Sequence, residues 1–81
     1  MSKPAAQFTP LNIAVLTVSD SRTLAEDTSG QYLVDSLTEA GHHLADRQLI
    51  TDDIYQIRAV ISGWIASPDV HAVITTGGTG F

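Results

Sequence analysis

Three stretches of this 81-residue sequence hold groups that could do chemistry together: Ser19 and Asp20 in "TVSD", Asp52 and Asp53 in "LITDD", and the run Thr75, Thr76, Gly77, Gly78, Thr79 and Gly80 near its end. Closely spaced glycines let a backbone approach a ligand and turn several N–H groups toward one point, an arrangement suited to a phosphate or another anion. A helix starting just after the loop would add its positive end, so an anion could be held without Lys or Arg. The spacing fits neither the dinucleotide pattern G-x-G-x-x-G nor the P-loop, whose Lys is absent. Glycine turns are also common in their own right, so an anion cradle and an ordinary tight turn both stay open. The carboxylates have two readings as well. Each could cap a helix or charge its first turn; set opposite an anion loop, they could instead hold Mg²⁺ against phosphates or orient donor-rich groups of a ligand.

Other reactive residue types offer less. His42 and His43 are adjacent, so as strand neighbours they would point to opposite faces, and the sequence has no Cys to complete a metal site with them. Ser19, Ser21 and Ser29 lack a His and acid arrangement for a hydrolase triad. Trp64 falls on an apolar helical stripe, where core or subunit interface is the expected place for it.

Composition narrows the classes further. Lys and Arg number 4 against 9 Asp and Glu, giving a formal charge of -5. A nucleic-acid surface needs the opposite balance to release counterions from phosphates, so no nucleic-acid partner is expected. No apolar run reaches the roughly 18 residues of a membrane span, and "MSKPAAQFTP" lacks the apolar centre of a signal peptide. The absence of cysteine rules out disulfides, and together these features lead to the expectation of a cytoplasmic protein without a membrane partner.

The elements that must position these residues follow from periodicity. "NIAVLTVS" (12–19) is almost continuously apolar, as strands buried on both faces are. "DTSGQYLVDSLTEAG" spaces Leu33, Leu37 and Ala40 as a helix does, with Val34 widening the stripe. Asp27, Thr28 or Ser29 offers a cap and Gly41 a stop. "HLADRQLI" (43–50) is a less regular strand. "DDIYQIRAVISGWIAS" places Ile54, Ile57, Ile61, Trp64 and Ile65 on one helical face, and Pro68 closes it. "VHAVITT" (70–76) is a third, β-branched strand. The order β-α-β-α-β implies parallel strands with right-handed crossovers, hence a 2-1-3 sheet covered on both sides in a three-layer α/β fold. All three strand-to-helix turns then share one sheet edge, where ligands of open α/β sheets bind. Residues 1–11 are expected to be a flexible lead to a domain starting at residue 12.

With "LTVSD", "DTSGQYL", "EAGHH", "LITDD", "WIAS" and "ITTGGTG" in this order, the chain resembles the molybdenum cofactor biosynthesis protein B family, which belongs with the molybdopterin adenylyltransferases. The resemblance implies a molybdopterin-binding α/β fold and, in active members, transfer of AMP from ATP to the terminal phosphate of molybdopterin with Mg²⁺ present. By position, Thr75, Thr76, Gly77, Gly78, Thr79 and Gly80 would line the pterin phosphate with Ser19 and Asp20 beside them. Asp52 matches a functionally important acid, which makes it the catalytic candidate. Family members are considerably longer, so residues 12–81 are expected to be the N-terminal part of the domain, inactive by itself. The resemblance also implies a homo-oligomer, trimer or hexamer. The alternative is a non-catalytic molybdopterin-binding or scaffold protein of the same pathway.

Overall fold

The structure, a computed structural model, describes residues 9–21 and 23–77. Its elements are β1 (Asn12–Val18), a 3-10 turn (Leu24–Glu26), α1 (Thr28–Glu39), β2 (His43–Ile50), α2 (Ile54–Ala66) and β3 (Ala72–Gly77). The strands form one parallel sheet in the order β2-β1-β3, as the crossover argument requires. No helix among the described residues is long and apolar enough to cross a membrane.

Central β1 explains why its sequence is apolar throughout. Ile13 and Val15 pack with Leu33, Val34 and Leu37 of α1, while Ala14, Leu16 and Val18 pack with Ile57, Val60, Ile61 and Trp64 of α2. Successive residues of a strand point to opposite faces, so one strand serves both helix layers. The α2 stripe differs from its sequence expectation at two positions. Ile54 and Ile65 are 62% and 74% exposed, and Val60 joins the core instead. Ile65 lies about 100° round the helix from Trp64, at 3.6 residues per turn, and Ile54 opens the first turn. Ala40, expected on the α1 stripe, is the exposed C-cap.

Helix boundaries follow the capping chemistry. The Asp27 carboxylate accepts from Gly30 N–H to start α1, and the Asp53 carboxylate accepts from the Tyr55 and Gln56 N–H groups to start α2. Gly41, at φ 95°, carries the chain out of α1 in the left-handed conformation that glycine tolerates.

The β1–β2 ladder is interrupted. Ile13 pairs with Leu44 but Ala14 pairs with Asp46, leaving Ala45 as an inserted residue. From there on Asp46 is in register with positions facing α2 and Arg47 with positions facing α1. Asp46 accordingly accepts the Trp64 indole N–H at 3.0 Å, and Arg47 reaches Asp27 at 3.3 Å.

At the amino ends of the strands, β2 starts at His43, as read from the sequence. Only His43 belongs to β2; His42 precedes it, and its Nδ1 accepts the Leu11 N–H at 3.0 Å. On the other side of β1, His71 Nδ1 accepts the Asn12 N–H at 2.9 Å.

Candidate functional site

At the opposite, carboxyl edge the three strands end abreast: Val18 pairs with Ile50 on one side and Gly77 on the other. The Ser19 N–H continues the β1–β2 ladder to the Ile50 carbonyl at 2.8 Å, which carries the chain to Asp20 at the rim of the sheet. Asp20 then reaches across to the next turn. Its Oδ1 accepts the backbone N–H of Asp52 at 2.9 Å, joining residues 32 apart in sequence. Convergence of the first two turns, expected from topology, is therefore realised as a direct bond.

The two acids of "LITDD" divide their labour. Asp53 is committed to capping α2, so the bland reading of a capping acid holds for it. Asp52 is exposed, and no hydrogen bond among the described residues engages its carboxylate. A free carboxylate at the ligand edge of an α/β sheet is available to a cation or to donor groups of a ligand. No group of three or more His, Cys, Asp or Glu among the described residues could hold a metal ion.

The third turn is reached by Gly77. Its φ of +86° is one that residues with a side chain rarely adopt, and a Cβ built there would lie 2.3 Å from the Val18 carbonyl oxygen. The backbone can pass beside β1 and leave the sheet only because that position is glycine. Thr75 and Thr76, read from the sequence as part of the phosphate-lining run, are residues of β3 paired with Leu16 and Thr17, at the strand end that leads into the loop. Gly78, Thr79 and Gly80 lie outside the described residues.

Behind the rim sits a polar cluster that sequence reasoning reached only in part. Asp27, one of the three caps the sequence offers for α1, is also buried at 2% exposure and accepts from the Thr17 hydroxyl at 2.6 Å and from Arg47. Burial alone would push its carboxyl up, but the Thr17 hydroxyl, the Gly30 N–H and the Arg47 guanidinium outweigh that and hold it below its ordinary range. The spacing Asp27-x-x-Gly30 is the local signal: a Cβ on Gly30 would meet Asp27 Oδ2 at 2.0 Å and Thr17 Oγ1 at 2.6 Å. Arg47 also donates to Gln31 at 2.9 Å, so the cluster fastens α1 to β1 and β2 beneath the loop that starts at Ser19.

Residues 14–81 match the family described as "Probable molybdopterin binding domain". The Molybdenum cofactor biosynthesis protein B of Escherichia coli K12 is 52% identical over 80 residues, covering 99% of this chain and 47% of that protein. Its counterpart in Bacillus subtilis 168 is 36% identical over 66 residues, covering 82% of this chain and 39% of that protein. A crystal structure of a molybdenum cofactor biosynthesis protein B superposes with a TM-score of 0.85 at 36% identity, over 90% of this chain and 45% of that one. The chain spans about half the length of the curated relatives it matches.

Proposed function

This chain belongs to the molybdopterin-binding domain family of molybdenum cofactor biosynthesis, and from that premise we propose that it binds molybdopterin at the sheet edge where its three turns begin. The observation that carries the proposal is the Asp20–Asp52 bond beside the exit of β3. It ties the first two turns together at the sheet edge where β3 also ends, with the Asp52 carboxylate exposed there. The backbone N–H groups of Gly77, Gly78, Thr79 and Gly80 would hold the terminal phosphate of the pterin, with Ser19 at the flank and Thr75 and Thr76 fixing the approach. No basic side chain is needed for this, which agrees with a sequence of charge -5.

The finer proposal is adenylyl transfer. An oxygen of the molybdopterin phosphate attacks the α-phosphorus of ATP, a new P–O–P linkage forms, and the bond to the departing pyrophosphate breaks. Mg²⁺ supplies charge neutralisation on the phosphates when bound. The chain's own part is positioning: the glycine loop fixes the attacking phosphate, and Asp52 either ligates the ion or orients the pterin. The trimer or hexamer implied by resemblance is a proposal that light scattering tests.

The experiment uses the protein extended to the length of its relatives. Molybdopterin is titrated against the unmutated protein, Gly78→Val and Asp52→Asn, and pyrophosphate release is followed with ATP and Mg²⁺. Gly78→Val should abolish binding, because a side chain there denies the anion its close approach. Asp52→Asn should lose more in rate than in affinity. Tight binding by Gly78→Val would refute the loop assignment. Normal binding without pyrophosphate from the unmutated protein would leave a non-catalytic pterin carrier of the same pathway.

A further inference from the structure

We infer that Asp20 is a positioning residue: it acts through Asp52 by fixing that residue's backbone, and its own charge is not what the ligand uses. This rests on the reading that Asp52 faces the ligand.

The β2–α2 turn consists of Thr51, Asp52 and Asp53, and it is held at both ends. β2 is paired to β1 through Ile50, and Asp53 is fixed by capping α2 and by its N–H to the Thr51 carbonyl at 2.8 Å. Asp52 lies between these anchors, exposed, with its N–H donated to Asp20. Among the described residues the bond that ties this N–H to the rest of the protein is its donation to Asp20 Oδ1, across 2.9 Å. A turn residue without it would keep its neighbours in place and still be free to rotate its own peptide, carrying the carboxylate with it.

Electrostatics favour the same assignment. An anionic ligand gains nothing from a second bare carboxylate beside the first, whereas an oxygen accepting a backbone N–H is a neutral requirement. An amide oxygen can accept that N–H too, through a somewhat weaker bond than a carboxylate's. The chemistry therefore separates two roles that a map of site residues would merge. If Asp20 serves as charge, asparagine cannot replace it; if it serves as acceptor, asparagine can.

Two measurements on the full chain decide between them. The first needs no ligand: backbone hydrogen exchange at Asp52, read by NMR. Asp20→Ala should speed exchange at Asp52 about fivefold, the order expected for loss of one hydrogen bond, while Asp20→Asn leaves it near the unmutated rate. The second is molybdopterin titration. Asp20→Asn should bind within about twofold of the unmutated protein and Asp20→Ala should lose about fivefold. In an Asp52→Ala background, Asp20→Ala should cost nothing further, since the group it positions is gone. Equal losses for the asparagine and alanine variants, or an undiminished loss in the Asp52→Ala background, would overturn the assignment. Absence of molybdopterin binding by the unmutated protein would sink the ligand reading alone. Unchanged exchange at Asp52 in Asp20→Ala would sink the positioning role whatever the ligand.

Discussion

The Thr17 hydroxyl donates to the Asp27 carboxylate at 2.6 Å, with each residue only 2% exposed, and this bond joins the central strand to the first turn of α1. Asp27 also takes the Gly30 N–H and faces Arg47, so its charge is compensated from three directions. Asp27→Ala leaves Arg47 without its carboxylate and α1 without its cap, and should lower stability by about 3–5 kcal/mol. Thr17→Val removes one of the three donors and should lose about 1–3 kcal/mol. Urea denaturation followed by Trp64 fluorescence gives both values; equal losses would mean that Thr17 is the principal support of the cluster.

Two helical glycines make opposite predictions. A methyl at Gly30 meets Asp27 and Thr17 at 2.0 and 2.6 Å, so Gly30→Ala should break the cluster and destabilise the fold. At Gly63 a methyl meets nothing within 4 Å, and Gly63→Ala should stabilise by about 0.5–1 kcal/mol through reduced freedom of the unfolded chain. Thermal unfolding of the pair tests this, and a gain at Gly30 would contradict the close packing described there.

Acid should act through Asp27 and Asp46. For Asp46, burial pushes the carboxyl up, but the Trp64 indole, the Gln48 amide and the Arg47 backbone N–H outweigh it and hold it below its ordinary range. Both groups thus have folded-state values lowered from the unfolded one of about 3.9. The stability they contribute is fully present above that value and is lost as pH falls through the lower folded values. Unfolding free energy should therefore be insensitive to these two groups from neutral pH down to about pH 5 and fall below about pH 4. Asp46→Asn, which keeps an acceptor for the indole, should show a shallower decline in that acid range. An unchanged slope would remove Asp46 from the account.

Gly77 ties stability to binding. Gly77→Ala would force a Cβ against the Val18 carbonyl at 2.3 Å and a strained φ of +86°. The end of β3 should detach from β1 there. The effect expected is a modest loss of global stability, on the order of 1–3 kcal/mol for such a backbone conformation, with a much larger loss of molybdopterin affinity. Parallel urea and titration curves would show it; unchanged affinity would separate the glycine run from the ligand.

Much of the fold is legible in the sequence because its signals are local. Continuous apolar residues from Ile13 to Val18 require two covered faces, and Asp27, Gly41, Asp53 and Pro68 mark helix ends by chemistry that acts within one turn. Strand β2 is harder to read because Ala45 interrupts its alternation, so the adjacent charges Asp46 and Arg47 serve opposite faces for reasons outside the strand. The Asp27–Arg47 pair spans 20 residues and leaves no periodic trace. At the site, the residue types and spacing alone present Asp52 and Asp53 as equals, and it is the family resemblance that singles out Asp52. Only the direction in which α2 starts makes one a cap and leaves the other exposed.

The central place of β1 also bears on how the chain is made. A ribosome delivers this strand before any partner: β2 starts at His43 and β3 at Ala72. At about 5–20 residues per second, β1 spends roughly 3–11 s as an apolar segment without its second neighbour. During that interval neither helix layer can close fully, since each packs on alternate side chains of the same strand. Substitutions that slow synthesis between Ile50 and Ala72 would lengthen the exposure without altering one contact of the finished protein. Their effect would appear as a lower yield of folded chain at unchanged stability.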